Sequence, residues 1–395
     1  MSEITAPVAR AAHASFIKET LRTYGLLLSL IVIMVFFEIA TNGTLLRPLN
    51  LTNLVLQNSY IAIMALGMLL VIVTGHIDLS VGSVSGFVGA LAAVMLVQWG
   101  MPLVPAALIC VAAGAAIGAI QGAFVAYVKI PSFIVTLAGM LVFRGLMLTV
   151  LNGQSVGPFP PGFQLLSSGF LPEFLGQPGG IRASSLLIGV AIGLVLVLNS
   201  SRARARQERH GLETEPFALF LIKNLLILAG IVALTWLIVS YRGLPNVLII
   251  MGVLIALYAF VTLRTTVGRQ VYAVGGNEKA AKLSGINTER LTFFTFVNMG
   301  VLAALAGLIF AARLNTATPK AGTGFELDVI AACFIGGASA YGGVGLVSGA
   351  IIGAFIMGVM NNGMSILGIG VDYQQVIKGL VLLGAVCIDV YNQKR

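Results

Sequence analysis

Residues able to do chemistry are few in this chain, and they are scattered. His13, His76 and His210 fall in three separate segments, and no His, Asp or Glu grouping has the spacing of a metal centre or an acid–base pair. Cys110, Cys333 and Cys387 all sit inside apolar stretches without disulfide or metal spacing, and read as small core residues. Phosphate binding is no better supported. No GxxxxGK[ST] motif occurs, and the nearest glycine-rich run, GGVGLVSG at 342–349, lacks the lysine and follows no strand. The chain is therefore expected to be no enzyme and to hold no cofactor or metal of its own. Two charged residues still ask for a role. Arg144 lies deep in an apolar run, where an ionised group is a functional candidate, with helix carbonyls or a carboxylate as its expected partner. Asp78 lies between two such runs, just ahead of Ser80 and Gly82; it suits a cap and dipole partner for the next helix, or a place in a pathway or docking contact. Glu38 and Lys378, nearer the ends of apolar runs, read as snorkelling anchors.

The elements that must position these residues are apolar almost throughout. Of 395 residues, 58% are hydrophobic and 9% charged, with a mean hydropathy of +1.00, against about a quarter charged in ordinary soluble domains. Apolar runs fall at 24–41, 53–74, 80–98, 103–127, 131–151, 184–199, 217–240, 244–263, 291–312, 327–340, 346–364 and 373–391. In lipid the backbone polar groups of each run must be satisfied within the run, so helices are expected. The reading is an all-α polytopic membrane protein with about 10–12 transmembrane helices. The runs 184–199 and 327–340 are short, and the second has the length of a half-helix. One transmembrane domain, 24–391, is expected between a polar segment 1–23 and a tail 392–395. The absence of alternating apolar segments argues for an inner, energy-coupled membrane rather than a barrel-bearing one.

The net charge of +9 does not point to nucleic acid, because Lys and Arg concentrate in short connections and at the ends. If every run spans, sixteen of them fall on the side of the N-terminus and five on the other, with Arg144 and Lys378 inside spans. That asymmetry places both termini in the cytoplasm. Residues 152–183 then form a long outer loop, and 200–216 and 264–290 face the cytoplasm. Stripes of small residues at every fourth position (Gly114, Gly118, Gly122; Gly345, Gly349, Gly353; Gly82, Gly86, Ala90) allow close helix approach, within the protomer or at a seam between two.

Within 264–290, AVGGNEKAAKLSGI at 273–286 has helix formers from Glu278 to Leu283 with glycines at each end. Such a short, bounded helix is either a handle for a partner or a solvated connection. This segment resembles the coupling segment of ATP-binding-cassette importer permeases of the ribose and xylose branch. The resemblance extends to GHIDLSVGS at 75–83, PSFIVTLAGMLVFRG at 131–145, ELDVIAACFIGGASAYGGVG at 326–345 and NNGMSILGI at 361–369, in the order that family has them. It is nearest to xylose-type and multiple-monosaccharide permeases, which share the extra hairpin supplied here by 200–240. It implies a permease homodimer in the bacterial inner membrane, surrounded by lipid, with no nucleic-acid partner. A separate ATPase subunit would consume ATP, and a periplasmic sugar-binding protein would deliver a monosaccharide such as xylose. The resemblance places Asn277, Glu278, Ala280, Ala281, Leu283 and Gly285 at the ATPase contact. Because sugars are neutral and rich in hydroxyls, the amides and hydroxyls of Gln57, Asn58, Ser59, Asn361 and Asn362 are candidates for the pathway, or equally for interhelical hydrogen bonding. The competing reading is a twelve-helix ion-coupled secondary transporter, which would need a chain of intramembrane carboxylates.

Overall fold

The computed structural model describes residues 25–176, 182–211 and 214–393; the expected N-terminal segment 1–23 lies outside them. Regular structure among these residues is helical, apart from two isolated bridges. The helices are α1 (Gly25–Ala40), α2 (Pro48–Val73), α3 (Val81–Ala93, prolonged by a π-helical turn at Val94–Gln98), α4 (Leu103–Ala126) and α5 (Ser132–Val150). After a one-turn α6 (Pro161–Gln164) come α7 (Ala183–Arg209), α8 (Phe217–Val239), α9 (Asn246–Arg264), α10 (Thr266–Gly276) and α11 (Glu278–Leu283). The chain closes with α12 (Thr288–Leu314), α13 (Phe325–Ile335), α14 (Val347–Ile366) and α15 (Val371–Gln393). Nine of the described helices are long and apolar enough to cross a membrane: α2, α3 with its π turn, α4, α5, α7, α8, α9, α12 and α14. Several of these begin at a proline, which sits at the first position of α2 and at the N-caps of α4, α5, α8 and α9, where a missing N–H costs nothing.

Of the two short runs, one comes out longer than expected and the other as expected. The run 184–199, short by hydropathy, is part of the 27-residue α7, because the arginine-rich stretch to Arg209 continues the helix beyond the apolar portion. The run 327–340 is a true half-helix: α13 has 11 residues, or roughly 16 Å at 1.5 Å per residue, about half the hydrocarbon thickness.

The centre of the bundle is α2, which is buried along most of its length, with α12, α14 and α3 around it. Apolar side chains gain little from leaving lipid, so the close contacts follow the small residues instead. All three glycine stripes are used within the protomer. Along α4, Gly114 meets the Gly300 backbone and Gly118 the Phe296 carbonyl of α12, leaving no room for a side chain. Gly349 and Gly353 of α14 lie on Gly336 and Ala332, and Gly82 and Gly86 of α3 lie on Gly322 and Ala321.

Those last contacts enclose the break in the bundle. After α12, Asn315 turns left-handed (φ 55°), and the chain runs back without helix to Gly324, the left-handed N-cap of α13 (φ 82°). Non-helical backbone inside a membrane protein persists where protein covers it, and here Ala317 and Ala321 are buried. Beyond α13 a second irregular stretch leads to Gly343, whose N–H donates to the Val73 carbonyl at the end of α2 (2.8 Å). Residues 152–176 of the long connection fold over the opposite end, pairing Val156 with Ala317 and Phe170 with Pro245, and burying Phe159 and Phe163. The hairpin α7–α8 is peripheral: Gly189 packs on Thr235 and Gly193 on Leu228, and Arg204 clamps its turn by donating to Glu208 (2.8 Å) and to the Glu215 carbonyl (2.8 Å).

Overpacking a tight site costs about 1–3 kcal/mol, and at Gly300 the obstacle is backbone. Gly300→Leu is therefore expected to lower the melting temperature of the detergent-purified protein by several degrees, whereas Gly230→Leu, with open space around its Cα, leaves it unchanged.

Candidate functional site

Two polar assemblies stand out. The first is at the end of the bundle that carries α10 and α11. Asn277 caps α11 through its side-chain oxygen, which accepts from the Ala280 N–H (3.0 Å). The helix stops in a Schellman arrangement: Gly285 is left-handed (φ 83°), its N–H donates to the Lys282 carbonyl (3.0 Å), and the Ile286 N–H donates to that of Ala281 (3.1 Å). Lys282 pairs with Glu289, and Lys129, from the α4–α5 turn, lies 3.7 Å from both Glu278 and Glu289. A cleft of about 350 Å³ lies between these elements, lined by His76, Lys129, Ser132, Phe133, Glu278 and Thr292. Burial holds the His76 pKa below its ordinary value.

Not all of α11 faces outward. Asn277, Glu278, Ala280, Leu283 and Gly285 are exposed, Leu283 at 91%. Ala281 is 5% exposed, so of the six residues expected at the ATPase contact it alone faces inward. Successive helical residues are about 100° apart, and with Ala280 and Leu283 outward, Ala281 turns into the protein. Behind α11, α10 leans on the broken span: the Tyr272 hydroxyl donates to the Gly345 carbonyl (2.6 Å), and Gly275 and Gly276 lie against Gly342 and Gly343.

The second assembly surrounds the start of α13. Lys378 of α15 donates to both Asp328 oxygens (2.9 and 3.1 Å), and the Asn361 amide of α14 donates to Asp328 Oδ2 (3.4 Å). Lys378 is thus an ion-pair partner across two helices rather than a snorkelling anchor. Glu326, two residues before, is buried and has an oxygen without a hydrogen bond; Arg144 of α5 acts on it electrostatically without forming an ion pair with it. Glu38, also expected to anchor, accepts from the Leu46 N–H (2.8 Å) and fixes the α1–α2 turn.

The other pathway candidates part company. Gln57 is exposed. Asn58 donates to the Ala354 carbonyl of α14 (2.6 Å), and Ser59 donates to the Leu56 carbonyl of its own helix (3.0 Å). Asn362 exchanges two hydrogen bonds with Asn50 (2.8 and 3.1 Å), and joins α14 to α2. Asp78 is buried in the α2–α3 turn, accepting from the Ser80 N–H (2.8 Å) and hydroxyl (2.6 Å), while Ser80 also bonds to Gln121 of α4. Its position is that of a turn-former joined to a neighbouring helix. Sequence reasoning missed the Asp328–Lys378 pair; the signal was two acids opening a half-helix with a lysine in the final apolar run.

Burial pushes the Asp78 pKa up to about 6, although the bonds from Ser80 act in the opposite direction. A folded pKa above the unfolded one means that stability falls as pH rises from about 4 through about 6. At pH 7.5, Asp78→Asn, which keeps an acceptor for Ser80 and sheds the charge, is expected to melt at or above wild type; Asp78→Ala should melt below it. For the ion pair, Lys378→Met strands a carboxylate and should cost about 3 kcal/mol in a denaturation experiment, while combining it with Asp328→Leu restores much of that loss.

Comparison with known proteins agrees with this architecture. Residues 50–386 match the family described as branched-chain amino acid transport system / permease component. The xylose transport system permease protein XylH of Haemophilus influenzae is 43% identical over 376 residues, 95% of this chain and 98% of that protein. Escherichia coli K12 XylH is 39% identical over 396 residues, 100% and 98% of the two chains. The ribose import permease protein RbsC of the same strain is 36% identical over 346 residues, 88% and 86%. No solved structure matches. The family match covers most of the chain and the spans are those of a multi-pass bacterial inner-membrane protein, so the chain belongs to the branched-chain amino acid transport system / permease component family.

Proposed function

We propose that the chain is the membrane-spanning permease subunit of an ATP-driven importer that carries a monosaccharide, xylose or a related pentose or hexose, into the cytoplasm. The relatives named for xylose and ribose transport support the substrate class. The sequence has no phosphate loop, so ATP would be hydrolysed by a separate ATPase subunit. A periplasmic sugar-binding protein would present the substrate, and two copies of the chain would enclose the route. Both termini would be cytoplasmic, by the distribution of Lys and Arg, and the 264–290 segment would then face the ATPase.

The observation that carries this reading is α11: a helix capped at both ends, seated through Ala281, with its other side outward and a leucine almost wholly in solvent at its tip. A soluble connection gains nothing from such a leucine, whereas a partner's groove would bury it. The neighbouring cleft between Lys129 and Glu278 offers a second, charged contact. The ion-coupled alternative has one feature to use, the adjacent carboxylates Glu326 and Asp328, but Asp328 is already neutralised by Lys378.

Leu283→Asp is the informative change, since Ala281→Glu would disturb buried packing instead. The variant is expected to accumulate and fold normally, lose co-purification of the ATPase subunit, and take up labelled sugar about tenfold more slowly, as a desolvated interface anchor does. Uptake by wild type should survive a proton uncoupler and stop when the ATPase subunit is deleted. The opposite pattern would establish ion coupling.

A further inference from the structure

The helices α14 and α15 expose a line of polar groups on facing surfaces. Asn361 and Ser365 are one turn apart on α14, and Gln374 and Lys378 are one turn apart on α15, so each pair shares a helix face. The groups connect in sequence. The Gln374 amide donates to the Ile369 carbonyl (2.8 Å) and to the Ser365 hydroxyl (3.3 Å), and that hydroxyl donates to the backbone carbonyl of Asn361 one turn back (2.8 Å). The Asn361 amide reaches Asp328 (3.4 Å), and Asp328 is held by Lys378. This line descends from the α14–α15 turn to the start of the half-helix.

Three observations separate it from interhelical glue. Ser365 is exposed on the protomer surface, and Asn361, Gln374 and Lys378 are partly so, although polar side chains facing lipid are costly. Asn361 Oδ1 is buried without a hydrogen-bond donor, an unmet acceptor beside the Asp328–Lys378 pair. Asn362, its neighbour, is saturated by Asn50 and closed off. The same amide chemistry is satisfied at one position and left unsatisfied at the next.

Resting on the permease reading above, we propose that Gln374, Ser365, Asn361, Asp328 and Lys378 form the outer half of the substrate route, a ladder for a neutral solute with vicinal hydroxyls. The row alternates donors and acceptors, as a polyol does, so a sugar exchanges one set of hydrogen bonds for the next as it moves. The ammonium and carboxylate cancel each other, which leaves no net charge to trap an ion. Apart from the doubly bonded Lys378–Asp328 pair, the contacts from one residue of the row to the next are single, which suits a route that must release what it holds.

The test uses the assembled transporter in right-side-out vesicles, with the exposed Cys387 replaced by serine; Cys110 and Cys333 are buried. Ser365→Cys and Gln374→Cys are each expected to react with a membrane-impermeant maleimide, and the reaction should cut sugar uptake about tenfold, the scale of one blocked polar contact. Leu226→Cys, on the exposed face of α8, is the lipid-facing control and should stay unmodified. A second arm compares pairs at Asp328 and Lys378. Asp328→Asn with Lys378→Gln keeps hydrogen bonding and should retain most uptake; Asp328→Leu with Lys378→Leu removes both charges together, so it folds, and should lose most of it. Unreactive cysteines at 365 and 374 from either side, meaning a face sealed against lipid or a second copy, would overturn the proposal, as would full uptake by the leucine pair. If wild type takes up no sugar while both cysteines react, the permease reading fails and the ladder remains only as a water-filled face.

Discussion

A peptide group in hydrocarbon has to find its partner inside the protein, and the rest of this molecule follows from where that demand is hardest to meet. Between Asn315 and Gly324, and again from Gly336 to Leu346, the chain abandons helix within the bundle. Those stretches are tolerated because α3 and α14 press small residues against them: Gly82 and Gly86 on one side, Gly349 on the other. Side chains at these places would push the covering helices away and open the backbone to lipid. The glycine stripes are thus the condition for having a half-helix at all, and the half-helix places two carboxylates where a continuous helix would be expected to carry leucine. The two similar sequences VGSVSG at 81–86 and VGLVSG at 344–349 supply these flanking contacts.

The half-helix is also reached from the other assembly. The α10 segment contacts the Gly342–Gly345 turn through Tyr272, Gly275 and Gly276, and that turn is continuous with α13. The exposed α11 and the Asp328–Lys378 pair therefore lie along one short stretch of covalent and hydrogen-bonded structure. Displacement of α10 has to be absorbed by the turn or passed to α13, since Gly275 has no free volume against the Val73 carbonyl. A packed glycine junction of this kind transmits motion more faithfully than a contact between flexible side chains.

How much of this was legible in the sequence depended on whether the signal was local. Spans, the half-helix and the bounded helix at 278–283 all leave marks within a single run, and each was readable. Pairings between distant runs leave none, which is why Lys378 reads as an anchor until Asp328 is found 50 residues away. Clusters of neighbours mislead for a different reason. Gln57, Asn58 and Ser59 look like one polar site in a line of text, yet at about 100° per residue they point in three directions, one to the surface, one to α14 and one to its own helix. Asn361 and Asn362 part in the same way, and so do Ala280 and Ala281. Side-chain direction, which spacing of three or four would have conveyed, is what adjacent positions conceal.

The Lys378–Asp328 pair has one more consequence, which concerns the membrane potential. A single charge moved through the bilayer exchanges about 2.3 kcal/mol with the field for every 100 mV. The ammonium and carboxylate lie within hydrogen-bonding distance of each other, at one depth, so the field acts on a small dipole with no net force on it. A neutral solute moving past carries no charge either. On the proposed route, passage past this pair would accordingly be indifferent to voltage, and the directionality of transport would come from the ATPase partner that the permease reading implies.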